Sequence, residues 1–474
     1  MRGPGAVALL VVLSTLLCLP LAWGQQTPAR SRIGYLCPAG GQQGTSFEVM
    51  VGGKSILRAK DVVISGSGVT GKVLDAYPVA KLPSQEERQA LRKAVTDAYA
   101  RLQQGTPVPQ GGFPLPEGLP HLPLLNRLTN PTAEDLQRIT YEYMTPRQFI
   151  RPVEAISEVV LVQVTIAPKA APGTRELRLA SPMGLSNPMC FEVGTLPETL
   201  ELEPNDPDRK PTEKPLSLPV VLNGQIDAGD IDRFRFTAQS GQKLVLASEV
   251  RRLVPYMADA VPGWFQAVVT VYDAAGNKLQ SSSSNSFEQD PVMVLPVERT
   301  GEYTVEIRDA LYRGRKDFVY RLSLSDGPFV TGIFPLGARE GSTTVAHLQG
   351  WNLPTDPVTL DTTPGPEAVR EITSLGGRPL VLPVRYAVGT LPEIQEQEPN
   401  DTLETAQTIA LPQVVNGILG KPGEVEEDVF RFTGTKDQQI VAQVIARQLG
   451  SPLDALLQLC DSTGRVLQTE DDAP

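Results

Sequence analysis

Histidine is nearly absent from this 474-residue chain, which holds two, His121 and His347. Neither lies in an HExxH or comparable ligand spacing, so a histidine-built metal centre is excluded as a sequence reading. No Gly-x-Ser-x-Gly elbow and no Gly-rich phosphate loop occurs, which removes the usual marks of a serine hydrolase or nucleotide enzyme. Basic clusters are missing as well. Lys and Arg number 43 against 54 Asp and Glu, for a net charge of −11, and this excludes nucleic acid or an anionic membrane as partner. Aromatic residues are only 6% of the chain. Long apolar runs are scarce: Ala6–Leu19 has signal-peptide length and is too short to span a bilayer comfortably, and no other stretch approaches it. With Arg2 ahead of it and the small-x-small site Ala22-Trp23-Gly24 behind, residues 1–24 read as a signal peptide cleaved after Gly24. The expected location is secreted, periplasmic or cell-surface.

Cysteine is scarce too, and export gives the remainder meaning. Cys37, Cys190 and Cys460 lie beyond the signal peptide. Cys37 and Cys190 open and close one expected domain, and the later copy of that domain has Phe334 and Arg385 in their places. Their joint presence and joint absence predict a Cys37–Cys190 disulfide, the alternative being two buried thiols. Cys460 reads as a small core residue.

What is plentiful is proline, with 43 residues, and glycine, with 41. They punctuate short alternating runs, the pattern of many strands rather than long helices. The stretch VGTLPETLELEPND at 193–206 returns as VGTLPEIQEQEPND at 388–401, with 11 of 14 positions identical. A self-match of this quality marks a repeated module. The expected fold is all-β, built of tandem β-sandwich modules of two alternating types. One spans 25–195 with a helical hairpin inserted at about 84–145. A sandwich follows at 196–326, a second copy of the first type at 327–392, and a second sandwich at 393–474 that is incomplete at its C-terminus. In the first module Phe47, Val49 and Val51 alternate, as do Val160, Val162 and Val164, giving half-buried strands. In the insertion Ser84 and Glu87 form a capping box ahead of Leu91, Val95, Ala98 and Leu102. Thr132 caps a second helix that carries Leu136, Ile139 and Tyr143.

Residues 196–326 hold Glu-Pro-Asn-Asp, Asn-Gly, Asp-x-Asp-x-Phe-x-Phe, Asp-x-x-Gly and Gly-x-Tyr in that order. This series resembles the bacterial pre-peptidase C-terminal domain, a jelly-roll-like sandwich appended to secreted proteases and similar in fold to the collagen-binding domains of clostridial collagenases. The first module resembles the immunoglobulin-like domains shared by plexins and transcription factors, a resemblance that brings no catalytic residues.

In an extended segment, residues i, i+2 and i+4 project to one side. Glu201, Glu203 and Asn205 then offer oxygens on one face, beside Asp206 and stiffened by Pro204. Glu396, Glu398, Asn400 and Asp401 repeat the set. Hard oxygens in this number suit calcium. The resemblance to collagen-binding domains implies further ligands from the sandwich body, at Asp230 and Asp232 in the first copy and at Glu427 and Asp428 in the second. A plainer reading stands beside it. Asp401 with Glu404 would N-cap a short helix, and Asp232 and Asp428 would bond turn amides.

The expected function is a non-catalytic binding or scaffold protein, stabilised by calcium on the reading of these acidic sets as ligands, whose partner is an extracellular polysaccharide or a matrix or surface protein. The alternative is the accessory substrate-binding region of a larger secreted peptidase with its catalytic domain elsewhere. Trp264, Trp351, Tyr256 and Tyr312 are candidates for stacking on glycans, against ordinary packing.

Overall fold

Alternating valines build the first sandwich. The computed structural model describes residues 30–79, 84–106, 113, 122–144, 153–205, 214–256, 263–283, 290–354, 357–420, 426–451 and 453–471. The signal peptide expected at 1–24, His121 and Asp206 therefore lie outside the described residues. One sheet runs Arg32–Cys37, Ser46–Lys54, Glu158–Ile166, Val69–Pro78, all antiparallel. The facing sheet is Gly40–Gln42, Met189–Gly194, Gly173–Ser181, Asp61–Ile64. Val49, Val51, Val160, Val162, Val164, Leu177, Leu179 and Phe191 meet between them, all fully buried. Period-2 alternation put these side chains on one face each, as the sequence predicted.

The inserted hairpin forms as predicted. Helix α1 (Gln85–Gln104) starts with the reciprocal Ser84/Glu87 capping box and stops at Gly105, whose positive φ of 63° suits glycine. Leu91, Val95 and Ala98 are buried, while Leu102 is exposed. Helix α2 (Ala133–Met144) is capped by Thr132, whose hydroxyl accepts from the Asp135 amide at 3.1 Å. Its Leu136 and Ile139 pack on α1.

The second sandwich has a five-stranded sheet ordered Glu198–Leu200, Val220–Gln225, Val319–Ser325, Lys243–Glu249, Val292–Pro296. Opposite lie Ile231–Ala238, Gly301–Asp309, Ala267–Asp273 and Lys278–Ser283. Phe236, Val271, Val305, Ile307, Tyr320, Leu322 and Leu324 fill the space between. On the outer face Arg233 pairs with Glu306 across the register, at 2.6 Å.

A smaller copy of the first module follows. Phe329–Phe334 pairs with Val345–Trp351, and Gly337–Arg339 runs parallel to Arg378–Gly389, just as Gly40–Gln42 runs parallel to Met189–Gly194. Beyond it the described pairings are short: Glu393–Gln395 with Val414–Asn416, Gln407–Thr408 with Phe430–Arg431, and the hairpin Leu456–Cys460/Val466–Asp471. The run Gln438–Ile445 forms no strand, and Ile440, Val441, Val444 and Ile445 are exposed.

The predicted disulfide is not formed. Cys37 and Cys190 are both free thiols, on strands of opposite sheets. Cys190 Sγ instead lies 3.1 Å from Glu192 Oε1. Burial pushes both thiols up, away from the reactive thiolate. Cys460 is exposed rather than in a core. Among the described residues no helix is long and apolar enough to cross a membrane.

Candidate metal centre

The acidic stretch is not the extended strand that its spacing predicted. The strand ends at Leu200, and the chain bends at Glu203. The bend itself brings the donors together: the Asn205 amide donates to Glu203 Oε2 at 3.0 Å, turning that carboxylate inward. One carboxylate oxygen from each of Glu201, Glu203 and Asp232 lies within 4.8 Å of the others.

The second sandwich supplies the floor. Glu201 Oε1 accepts from the Gln225 amide at 2.7 Å, and Tyr320 Oη reaches both Glu201 Oε2 at 2.9 Å and Asp232 Oδ2 at 2.6 Å. Gly224 lies directly beneath: a Cβ there would overlap the Glu201 carboxylate and the Tyr320 hydroxyl. Asn223 beside it donates to Glu198 Oε2 at 2.9 Å. The Asn-Gly pair is thus a hydrogen-bonding residue and a gap, and both serve the acidic stretch. Glu198 belongs to the repeated sequence itself, and Glu393 and Asn416 repeat the contact at 2.8 Å. Sequence reading passed over Glu198, Asn223 and Tyr320; the recurrence of Leu-Pro-Glu and Asn-Gly in both copies was the available signal for the first two.

This site is dry. Asp232 is 0% and Glu203 9% exposed. Glu203 Oε1, Asp232 Oδ1 and both side-chain polar atoms of Asn205 are buried without a hydrogen-bond partner. Leaving so many buried polar atoms unsatisfied is costly. Burial pushes the Glu203 carboxyl up to about 10, with Glu201 and Asp230 adding to it. Burial likewise raises Asp232 well above the carboxylate range, Glu201 and Asp230 contributing next. Close carboxylates in a low dielectric cannot all ionise unless a cation offsets them. Asp230 is partly accounted for by its turn, since it accepts from the Asp227 and Ile231 amides at 3.1 and 3.0 Å. Asp232 bonds no turn amide and faces the cluster instead.

The second copy repeats the arrangement in a more open form. Glu396, Glu398 and Asp428 form one group, and Glu398, Asp401 and Glu426 another. Burial pushes Asp428 up to about 7, with Glu396 next. Gly417 takes the role of Gly224, since a Cβ there would overlap the Glu396 carboxylate. Asn400 is fully buried, and its side-chain amide, like that of Asn205, has no hydrogen-bond partner. No helix starts at Asp401; residues 401–405 are turns. Contrary to what the resemblance implied, Glu427 is exposed and in neither group, whereas Glu426 is turned inward. The i, i+2 spacing of Asp230 and Asp232 would have selected Glu426 with Asp428.

The aromatic candidates are mostly engaged. The Arg251 guanidinium covers Trp264 at 4.0 Å, and the indole donates to Val254 O. Trp351 stacks on Phe329 at 5.6 Å and is 39% exposed. Tyr256 and Tyr312 are exposed.

Fold and site together define an all-β protein of tandem sandwiches with an acidic oxygen cluster where one module passes into the next. No family model matches the chain. Over 96 residues it is 40% identical to a probable subtilase-type serine protease of Deinococcus radiodurans, a match that takes in 20% of this chain and 13% of that protein's length. Among solved structures it is similar to the pre-peptidase C-terminal domain of a collagenase from Bacillus anthracis, at 12% identity over 25% of this chain and 97% of that one, with a TM-score of 0.18. It is also similar to SGBP-B of a Bacteroides ovatus mixed-linkage glucan utilization locus, solved with a mixed-linkage heptasaccharide, at 6% identity over 57% and 71% of the two chains, with a TM-score of 0.15.

Proposed function

We propose that the chain is an exported, non-catalytic binding protein whose tandem sandwiches display weak binding surfaces at fixed spacing, with calcium holding the module junctions. The observation that carries this reading is the buried, unpartnered oxygen set of Glu203, Asn205 and Asp232 beside Glu201. Its donors are all hard oxygens, the chemistry that calcium takes and that softer metals do not favour. In the first copy Glu201, Glu203, Asn205 and Asp232 would hold the ion, with Asp230 behind them; in the second, Glu396, Glu398, Asn400 and Asp428. Asp206 stays a proposed ligand on sequence grounds. Bound calcium would supply the positive charge that these carboxylates lack. The display surface faces an extracellular polysaccharide or a matrix or surface protein, and avidity over repeated modules gives the strength.

Calcium should raise the melting temperature of the chain, magnesium should raise it less, and Glu203→Ala should remove the first-copy part of the rise. A melting temperature that ignores calcium would sink the metal reading. A screen of glycans and matrix proteins tests the display reading, which fails if nothing is retained.

A second reading is favoured by the match to the subtilase-type protease: these modules are the accessory, substrate-holding region of a secreted peptidase. The reading frame beyond codon 474 distinguishes the two. A Ser/His/Asp peptidase domain there supports the accessory role, and further repeats support display.

A further inference from the structure

The two acidic sites share a design but not an environment, and the difference is the inserted hairpin. Helix α2 lies against the acidic stretch of the first site. Gln137 Nε2 donates to the Glu203 carbonyl at 2.9 Å. One turn further along the same helix, Glu142 pairs at 3.1 Å with Lys316 Nζ, which also reaches Asp227 at 3.3 Å in the turn that Asp230 caps. The helix therefore grips both halves of the site, the bent Glu201–Asn205 stretch and the Asp227–Asp232 turn. It is itself held by Leu136 and Ile139 in the hairpin's own core. Among the described residues no helix packs on the second site, where Glu398 and Asp401 are exposed.

We infer that α2 positions and covers the first acidic site, with Gln137 as its positioning residue, so that the two sites hold a cation unequally. This rests on the cation reading above. At the first site the Glu203 carbonyl is fixed from outside, so its carboxylate stays turned toward Asp232 and water has little access. An ion there binds tightly and leaves slowly. At the second site Glu398 and Asp401 are exposed and no described helix braces the stretch, so an ion exchanges freely. The repeat thus yields one structural site and one responsive site from nearly the same sequence.

The test uses the full chain with calcium as the probe. Alanine is the better helix former, so Gln137→Ala keeps α2 while removing the donor; Glu142→Gln removes the other grip. Chelator-driven calcium release from the unmodified chain should show a slow and a fast phase. Each variant should weaken the tight site by about 10- to 100-fold, the range for partners that orient a ligand, and should speed the slow phase while leaving the fast one unchanged. Hydrogen exchange without metal gives a separate reading: the Leu202, Glu203 and Asn205 amides should lose protection in Gln137→Ala. Biphasic release that neither variant alters overturns the positioning role and leaves the cation reading standing. Equal release from both sites of the unmodified chain overturns the inequality. An absence of calcium binding overturns both readings, while the exchange result still reports whether α2 braces the stretch.

Discussion

Asp232 holds the sharpest conflict in the molecule. It is fully buried beside Glu201, and one of its oxygens has no partner. Burial holds its carboxyl protonated in the metal-free fold, so folding must take up a proton there, and the isosteric amide removes that cost. Asp232→Asn should therefore stabilise the metal-free protein by about 1–3 kcal/mol, the scale of an unsatisfied buried group, and should abolish the calcium response of the first site. Urea titration with and without calcium checks both halves, and a destabilised metal-free variant would contradict that cost. Gly224→Ala makes the opposite case. Its new methyl would meet the Glu201 carboxylate, and overpacking of this kind costs about 1–3 kcal/mol; an unchanged urea midpoint would mean that the carboxylate can simply step aside. These residues also mark the limits of sequence reading at this scale. The acids were legible because they repeat. The turn that gathers them was not, because i, i+2 spacing describes a strand and the chain bends at Glu203. Tyr320 was invisible, since it reaches the site from 119 residues away and nothing local distinguishes it from other strand tyrosines.

Elements were legible where local chemistry decides them. The Ser84/Glu87 box, the Gly105 stop and the Thr132 cap are short-range arrangements, and each forms as predicted. Ser84→Ala should cost α1 about 1 kcal/mol, measurable as faster hydrogen exchange in the first turn of α1 with the sandwiches unaffected. A loss of protection spread evenly over the chain would instead mean that the hairpin and the sandwiches unfold together. Strands were legible only where partners exist. Val160, Val162 and Val164 alternate and are buried because strands flank them on both sides. Gln438–Ile445 alternates less cleanly, and among the described residues no strand pairs with it. Alternation sets which face is apolar and leaves open whether a second sheet covers it.

At the scale of the whole chain, the modules are joined by buried charge that no single-module reading could foresee. Arg321 of the second sandwich is 3% exposed and grips Glu198 with two contacts of 2.8 Å. It also lies 3.4 Å from Glu249. Its guanidinium fills the space over Gly40 of the first sandwich, where a Cβ would overlap it. Glu249 is paired at 2.9 Å with Arg252, which reaches Glu192 of the first sandwich at 2.7 Å. Thr174 beside Glu192 takes a 2.9 Å bond from Arg385 of the third module, and Arg385 pairs with Glu371. Apolar packing follows the same seams: Leu253 and Val254 join the first sandwich's core, while Val245 and Ala247 meet Phe329 and Val381. Breaking such a network by removing one partner leaves charges buried and unpaired. Arg321→Ala should cost about 3–5 kcal/mol and increase the radius of gyration as the first two modules separate. Glu249 gives the network a pH dependence. Burial pushes its carboxyl up to about 7 from 4.5; Arg252 and Arg321 pull it down, and Glu192 and Asp290 push it further up. The folded state thus holds this proton more tightly than the unfolded chain does. Its stabilising contribution is complete below about pH 4.5 and is lost as pH rises through 7. Glu249→Gln carries a permanent neutral side chain, so between about pH 5 and 8 its melting temperature should fall less than that of the unmodified chain. Other buried carboxylates tilt both curves alike, so the difference between the two curves isolates Glu249. Parallel curves would mean that Arg252 and Arg321 keep Glu249 ionised throughout, and the junction would then be a lock without a pH release.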